Sequence, residues 1–179
     1  MKKITFITLC LFFIKHGISQ NQTWTIVSSD ISFKIKNAGF TVGGKFNGLT
    51  GTIQFDPNKT SGNKIEANID AKTINTDNTT RDGHLRKEEY FWVDKFPKIS
   101  MSATLFTKET SGNFKSYFAL TLKGITNNVP VLFSFTEQNG KAKLSGSFKI
   151  NRLDYKVGSS SFILSDDVTI CIEVNCSKK

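Results

Sequence analysis

Apolar and polar residues alternate along most of this chain. Trp24 and Ile26 alternate with Thr23 and Thr25, and Ile31, Phe33 and Ile35 alternate with Ser32, Lys34 and Lys36. The same period of two runs through Leu49–Phe55, Ile65–Ala71, Ile99–Leu105, Phe118–Leu122, Val129–Phe135, Leu144–Ile150 and Val168–Val174. Successive side chains of a strand point to opposite faces, so each run predicts a strand with one apolar and one polar face. Turn-forming residues fall between the runs: Asp56-Pro57-Asn58, Ser61-Gly62-Asn63, Ser111-Gly112-Asn113, Asn127-Asn128 and Asn139-Gly140. Asn-Gly between two alternating runs marks a tight hairpin. Consecutive hairpins predict an all-β, antiparallel meander. Its apolar face must be buried against a second sheet or by closure into a barrel.

One stretch breaks the alternation. Residues 78–92 read NTTRDGHLRKEEYFW, with helix formers Leu85, Arg86, Lys87, Glu88 and Glu89 together. This predicts a loop followed by a short helix near residues 84–92, inserted between two strands. Small residues, Gly51, Ala67, Ala103 and Gly146, fall at apolar-face positions. In a solid core, bulk from the opposite wall fills such positions; in a barrel of about eight strands they leave room for a guest. The pattern leaves both outcomes open. If Gly51 faces a hollow, Gly51→Leu is expected to reduce its capacity and keep the fold.

The N-terminus reads as an address. Lys2 and Lys3 precede an apolar run of 11 residues, Ile4–Ile14, followed by small Gly17 and Ser19. A basic start, an apolar run too short to span a bilayer and small residues before a cleavage point predict a signal peptide over residues 1–19. Bulky Leu9 before Cys10 argues against a lipid anchor there. The mature domain is then residues 20–179, placed in the periplasm or outside the cell. Loss of Lys2, Lys3 and Lys15 takes the net charge from +9 to +6. The remaining lysines are scattered among apolar residues, as on solvated strand faces, so nucleic acid is not an expected partner. A transient contact with an anionic membrane surface fits better; nothing in the pattern sets the oligomeric state.

Enzyme signatures are sparse. Past residue 19 there is a single histidine, His84, so no multi-histidine metal site is expected. H-E-x-x-H, G-x-S-x-G and glycine-rich phosphate loops are absent from the sequence. Cys171 and Cys176 are five apart, on opposite faces of a regular strand, so a disulfide between them requires a turn. One dense polar cluster remains, Arg81, Asp82 and His84. Arginine offers forked donors, aspartate accepts them and histidine does either. The cluster is either a network pinning the inserted helix or a collar for a ligand's head group.

Several patches together carry a resemblance. They are the opening Trp24-Thr25-Ile26 and Ser32–Lys36 strand pair, Gly44–Asp56 as G-x-F-x-G-x-x-G-x-I-x-F-D, and Ile74-Asn75-Thr76 followed by Arg81-Asp82-Gly83-His84-Leu85. Tyr90-Phe91, Phe96–Ile99, Leu120–Thr126 and Asn151–Tyr155 follow in order. This set resembles the YceI-like family of secreted polyisoprenoid-binding proteins across nearly the whole mature chain. Lys156 stands where a glycine often follows the aromatic residue in that family, which puts the local loop conformation in question.

The resemblance implies a lipocalin-like, eight-stranded antiparallel β-barrel holding a long isoprenoid, a quinone or another amphiphilic chain, with no other cofactor and no catalytic residue. The expected apolar lining is Phe33, Ile35, Phe46, Phe55, Phe91, Met101, Phe118, Leu120, Phe133 and Phe148. The expected head-group contacts are Arg81, Asp82 and His84. Two rivals are an enzyme on the same barrel, with His84 as acid or base oriented by Asp82, and an interaction protein whose interior is filled by its own side chains.

Overall fold

A computed structural model describes residues 22–179; the expected signal peptide, residues 1–19, lies outside the described residues. The described residues contain ten strands: β1 (Thr23–Asn37), β2 (Phe40–Phe46), β3 (Thr50–Gln54), β4 (Lys64–Asp70), β5 (Lys98–Ala103), β6 (Thr107–Lys108), β7 (Phe114–Leu122), β8 (Ile125–Gln138), β9 (Lys141–Asn151) and β10 (Leu164–Lys178). Eight of them close a ring in the order β1-β3-β4-β5-β7-β8-β9-β10, sealed by the antiparallel β10–β1 pairing. The expected eight-stranded antiparallel barrel is therefore the fold. Closure removes the exposed sheet edge that an open meander would leave.

The two opening runs form one strand. Their inward residues change parity, from Trp24 and Ile26 to Ile31, Phe33 and Ile35, so a regular strand could not bury both sets. A bulge resolves the conflict: Ile26 pairs with Cys176 but Ser28 pairs with Asn175, leaving Val27 as the extra, exposed residue. β1 is thereby long enough to serve two neighbours on its second edge. Its Thr23–Trp24 end pairs with β3, and its Ile31–Asn37 end pairs with β2.

β2 has no counterpart among the alternating runs. Its inward positions are Val42, Gly44 and Phe46, and the glycine interrupts the apolar signal. Ala38 and Gly39, both at positive φ, make the turn that leads into it. The β7–β8 turn also differs from expectation. It lies at Lys123-Gly124, both in the left-handed region, while Asn127 and Asn128 lie within β8. The Asn139-Gly140 hairpin is where the sequence puts it.

The segment between β4 and β5 carries the helix, but earlier than expected. α1 spans Thr79–Leu85, not residues 84–92. Asn78 caps it, its side chain accepting from the Arg81 N–H at 2.9 Å. Residues beyond Arg86 fold into turns despite their helix propensity. The backbone N–H groups of Phe91 and Val93 turn back to the carbonyls of Leu85 and Arg86. Packing of Tyr90 and Phe91 onto the barrel core, and burial of Val93, override local preference here.

One end of the barrel is solid. Phe55 is fully buried, its ring 4.9 Å from Phe135, 5.0 Å from Phe114 and 5.2 Å from Phe106 by centroids. Trp24 joins this plug and donates its indole N–H to the Phe55 carbonyl at 2.8 Å. Gly51 does not face a hollow, so the condition for an effect of Gly51→Leu on capacity is not met. A Cβ built there would overlap the Glu66 carbonyl oxygen of β4 and lie 3.0 Å from the Ala67 Cα. Gly51→Ala is therefore expected to weaken the β3–β4 pairing and destabilise the protein by about 1–3 kcal/mol. Urea unfolding of the variant checks this, and an unchanged midpoint would contradict it.

Candidate functional site: an apolar cavity with a polar mouth

Behind the aromatic plug the barrel is hollow. The cavity measures about 640 Å³, within the range of small-molecule sites. Its wall follows from the strand period: Ile31, Phe33 and Ile35 from β1 face Val168, Ile170 and Ile172 from β10, and Met101, Phe118 and Leu120 continue around the ring. Gly44 has a specific task in this wall. A Cβ there would lie 2.5 Å from the Phe33 ring and 2.8 Å from the Thr76 methyl, so glycine lets both side chains seat against β2.

Nine of the ten expected lining residues reach the cavity: Phe33, Ile35, Phe46, Phe91, Met101, Phe118, Leu120, Phe133 and Phe148. Phe55 does not; it sits in the plug, where its inward direction meets other rings instead of space. The expected list also leaves out the β10 wall. Val168, Ile170 and Ile172 alternate as clearly as any run, so the signal for them was present.

A polar cluster from the segment between β4 and β5, at the end opposite the plug, borders the cavity: Thr76, Asn78, Thr80, Arg81 and His84. Asp82 does not border it. Asp82 is 6% exposed and its Oδ1 accepts from the Thr76 N–H at 2.9 Å and the Thr76 hydroxyl at 2.5 Å. Helix geometry explains the split. Arg81 and His84 are three residues apart and share a face, whereas Asp82 points about 100° away from Arg81. Arg81 donates from Nε to the Thr76 hydroxyl at 2.8 Å and from Nη2 to the Thr76 carbonyl at 2.6 Å. Among the described residues two of its five N–H donors are thus used. Asp82 is a pin for the helix, while Arg81 combines pin and cavity wall. His84 is exposed, and among the described residues no hydrogen bond joins it to Asp82, whose Oδ1 is taken by Thr76.

A second arginine, absent from the expected site, also borders this end. Arg152 is 3% exposed and follows β9 in a 3-10 turn (Arg152–Tyr155). Its guanidinium donates to the carbonyls of Ser165 and Val157, each at 2.9 Å, and of Leu164 at 3.4 Å, and to the Asp166 carboxylate at 3.0 Å. It ties the loop before β10 to the barrel. Lys156, in the glycine-like position, adopts φ 55° and ψ 36°, so the left-handed turn forms without glycine.

Cys171 and Cys176 are free thiols, on opposite faces of β10 as their spacing implies. Burial pushes the Cys176 thiol up to about 11, which keeps it protonated at neutral pH. Among the described residues no group of three His, Cys, Asp or Glu side chains is arranged to hold a metal ion.

An antiparallel eight-stranded barrel, plugged at one end and hollow toward the other, is a protein of the lipocalin-like architecture. The sequence pattern of the YceI-like domain matches residues 24–176, and the chain belongs to the YceI-like family. It is 27% identical over 151 residues to a UPF0312 protein of Yersinia enterocolitica, covering 80% of this chain and 78% of that one. The YCEI protein of Campylobacter jejuni, a crystal structure, superposes with a TM-score of 0.71 at 26% identity, covering 100% of this chain and 99% of that one. A polyisoprenoid-binding domain from Saccharophagus degradans superposes with a TM-score of 0.66 at 14% identity, covering 89% and 99%. At that identity the likeness is one of fold.

Proposed function

We propose that this protein is an exported carrier or store for a long-chain amphiphilic lipid of the isoprenoid type, a polyprenyl phosphate or a quinone included. One observation carries the reading: an apolar cavity of about 640 Å³ whose wall includes the polar cluster Thr76, Asn78, Thr80, Arg81 and His84. A hydrocarbon tail gains about 25 cal/mol for each Å² removed from water, before the cost of ordering the chain. Walls of Phe, Ile, Leu and Met supply this without directional contacts, so they tolerate tails of differing length. The head group sits at the mouth, where Arg81 offers spare donors to a phosphate, hydroxyl or carbonyl oxygen. The Saccharophagus degradans fold relative, a polyisoprenoid-binding domain, supports the ligand class. The basic and apolar N-terminal segment supports export.

Native mass spectrometry of freshly purified protein, with organic extraction, tests the reading. The expected result is an added mass that extracts into solvent as a lipid. Protein that is repeatedly empty and takes up no labelled polyprenol would overturn it.

A further inference from the structure

Three large apolar side chains are exposed beside the mouth. Phe40, at the start of β2, is 77% exposed, Ile163 is 63% exposed and Phe162 is completely exposed. Local bonds hold them outward. The Ala38 N–H donates to the Ile163 carbonyl at 2.7 Å, joining the β1–β2 turn to the loop before β10. The Ser161 hydroxyl oxygen accepts from the N–H groups of Ile163 and Leu164, each at 3.2 Å. The two segments therefore lie side by side. Their neighbours Asn37 and Leu164 belong to the cavity wall, so the patch borders the opening.

The strand surface leading to this patch is basic. Lys34 and Lys36 on β1 and Lys149 on β9 are exposed. Register places Lys34 and Lys149 in one row, on either side of Thr169, and Lys36 opposite Thr41, next to Phe40. Among the described residues none of these three lysines is paired with an acid. Asp167, on β10, is the exposed acid nearest in register.

We infer that Phe40, Phe162 and Ile163, flanked by Lys34, Lys36 and Lys149, dock the barrel mouth on an anionic lipid bilayer. Separate protruding side chains enter the head-group layer, where a protein partner would need a fitted surface. The lysines match the negative surface potential of anionic lipids. Docked this way, the opening faces the bilayer and a tail passes into the cavity without crossing water. The purpose of this surface rests on the carrier reading; its test does not.

The experiment is flotation of residues 20–179, whose closed barrel and core lie within the described residues, with two vesicle types. One is phosphatidylcholine containing phosphatidylglycerol, the other phosphatidylcholine alone. The chain is expected to float with the anionic vesicles and to lose this at raised salt. A triple variant, F40S/F162S/I163S, is expected to bind at least about tenfold less, with circular dichroism and thermal midpoint near those of the parent. A second variant, K34E/K36E/K149E, separates charge from insertion and is expected to lose the preference for anionic vesicles. Uptake of labelled polyprenol from detergent micelles is expected to survive both changes. Equal flotation with both vesicle types, or undiminished flotation of the triple variant, overturns the inference. So does a parent chain that self-associates through this patch and does not float. Absence of polyprenol uptake in any format overturns the carrier reading alone.

Discussion

Replacing Arg152 by leucine is expected to destabilise the protein by about 3–5 kcal/mol, the largest single effect at the cavity end. The residue is 3% exposed, and its guanidinium satisfies three backbone carbonyls and the Asp166 carboxylate. Removing a buried charged partner leaves those acceptors unpaired, and the low-dielectric interior makes the loss larger than one surface ion pair. Leucine supplies apolar volume but none of the donors. Asp166 is partly exposed, so water relieves some of its share; the carbonyl of Val157, whose bond is buried, gains less relief. Arg152→Lys keeps a charge but lacks the planar fork, so it is expected to recover only part of the loss. Urea unfolding measures both variants. A leucine variant within about 1 kcal/mol of the parent would show that water or a rearranged loop replaces the guanidinium.

The second large effect concerns capacity instead of stability. Ala67→Phe is expected to lower uptake of a polyprenol more than about tenfold while leaving the fold in place. Ala67 is on the cavity wall, in β4, between the inward residues Ile65 and Ile69. Its side chain points into space, so a benzyl group enters the hollow without displacing the wall behind it. Each methylene of ligand kept out of the cavity forfeits about 0.8 kcal/mol, and two such losses exceed a tenfold change in affinity. Met101→Phe provides a second variant on the neighbouring strand, where Met101 pairs with Ala67. Titration with a fluorescent or labelled polyprenol, alongside thermal unfolding, reads both quantities. Full uptake by both folded variants would place the ligand elsewhere. The contrast with Gly51 is instructive. Gly51 and Ala67 are cross-strand partners, yet a side chain at one meets the Glu66 carbonyl oxygen and at the other meets the hollow.

The alternating runs and the Asn139-Gly140 turn were enough to indicate antiparallel strands, and the family patches were enough to indicate a closed barrel. What escaped were features in which a glycine replaces an apolar side chain or in which packing opposes propensity. β2 carries no alternating signal because Gly44 occupies an inward position, where it clears the Phe33 ring. Helix propensity in Leu85–Glu89 points to a later helix, but the Asn78 cap sets the start and packing of Phe91 and Val93 ends the helical path. The site was legible in the same uneven way. Phe33, Ile35, Met101 and Phe148 follow directly from strand parity. Arg81 and Asp82, adjacent in sequence, could not be told apart until the helix gave each its direction.

By itself, the sequence determined the strand period, the apolar face of each strand and the residue types that a cavity wall would use. These are local consequences of how successive side chains alternate along an extended backbone. Only the tertiary structure decided that Phe55 fills a plug while Phe133 borders space, that Asp82 pins a helix while Arg81 meets the cavity, and that Gly51 is crowded by a neighbouring strand. Each depends on what stands across the barrel or beside it, and that distance is set by closure of the ring, which no stretch of alternating residues encodes alone.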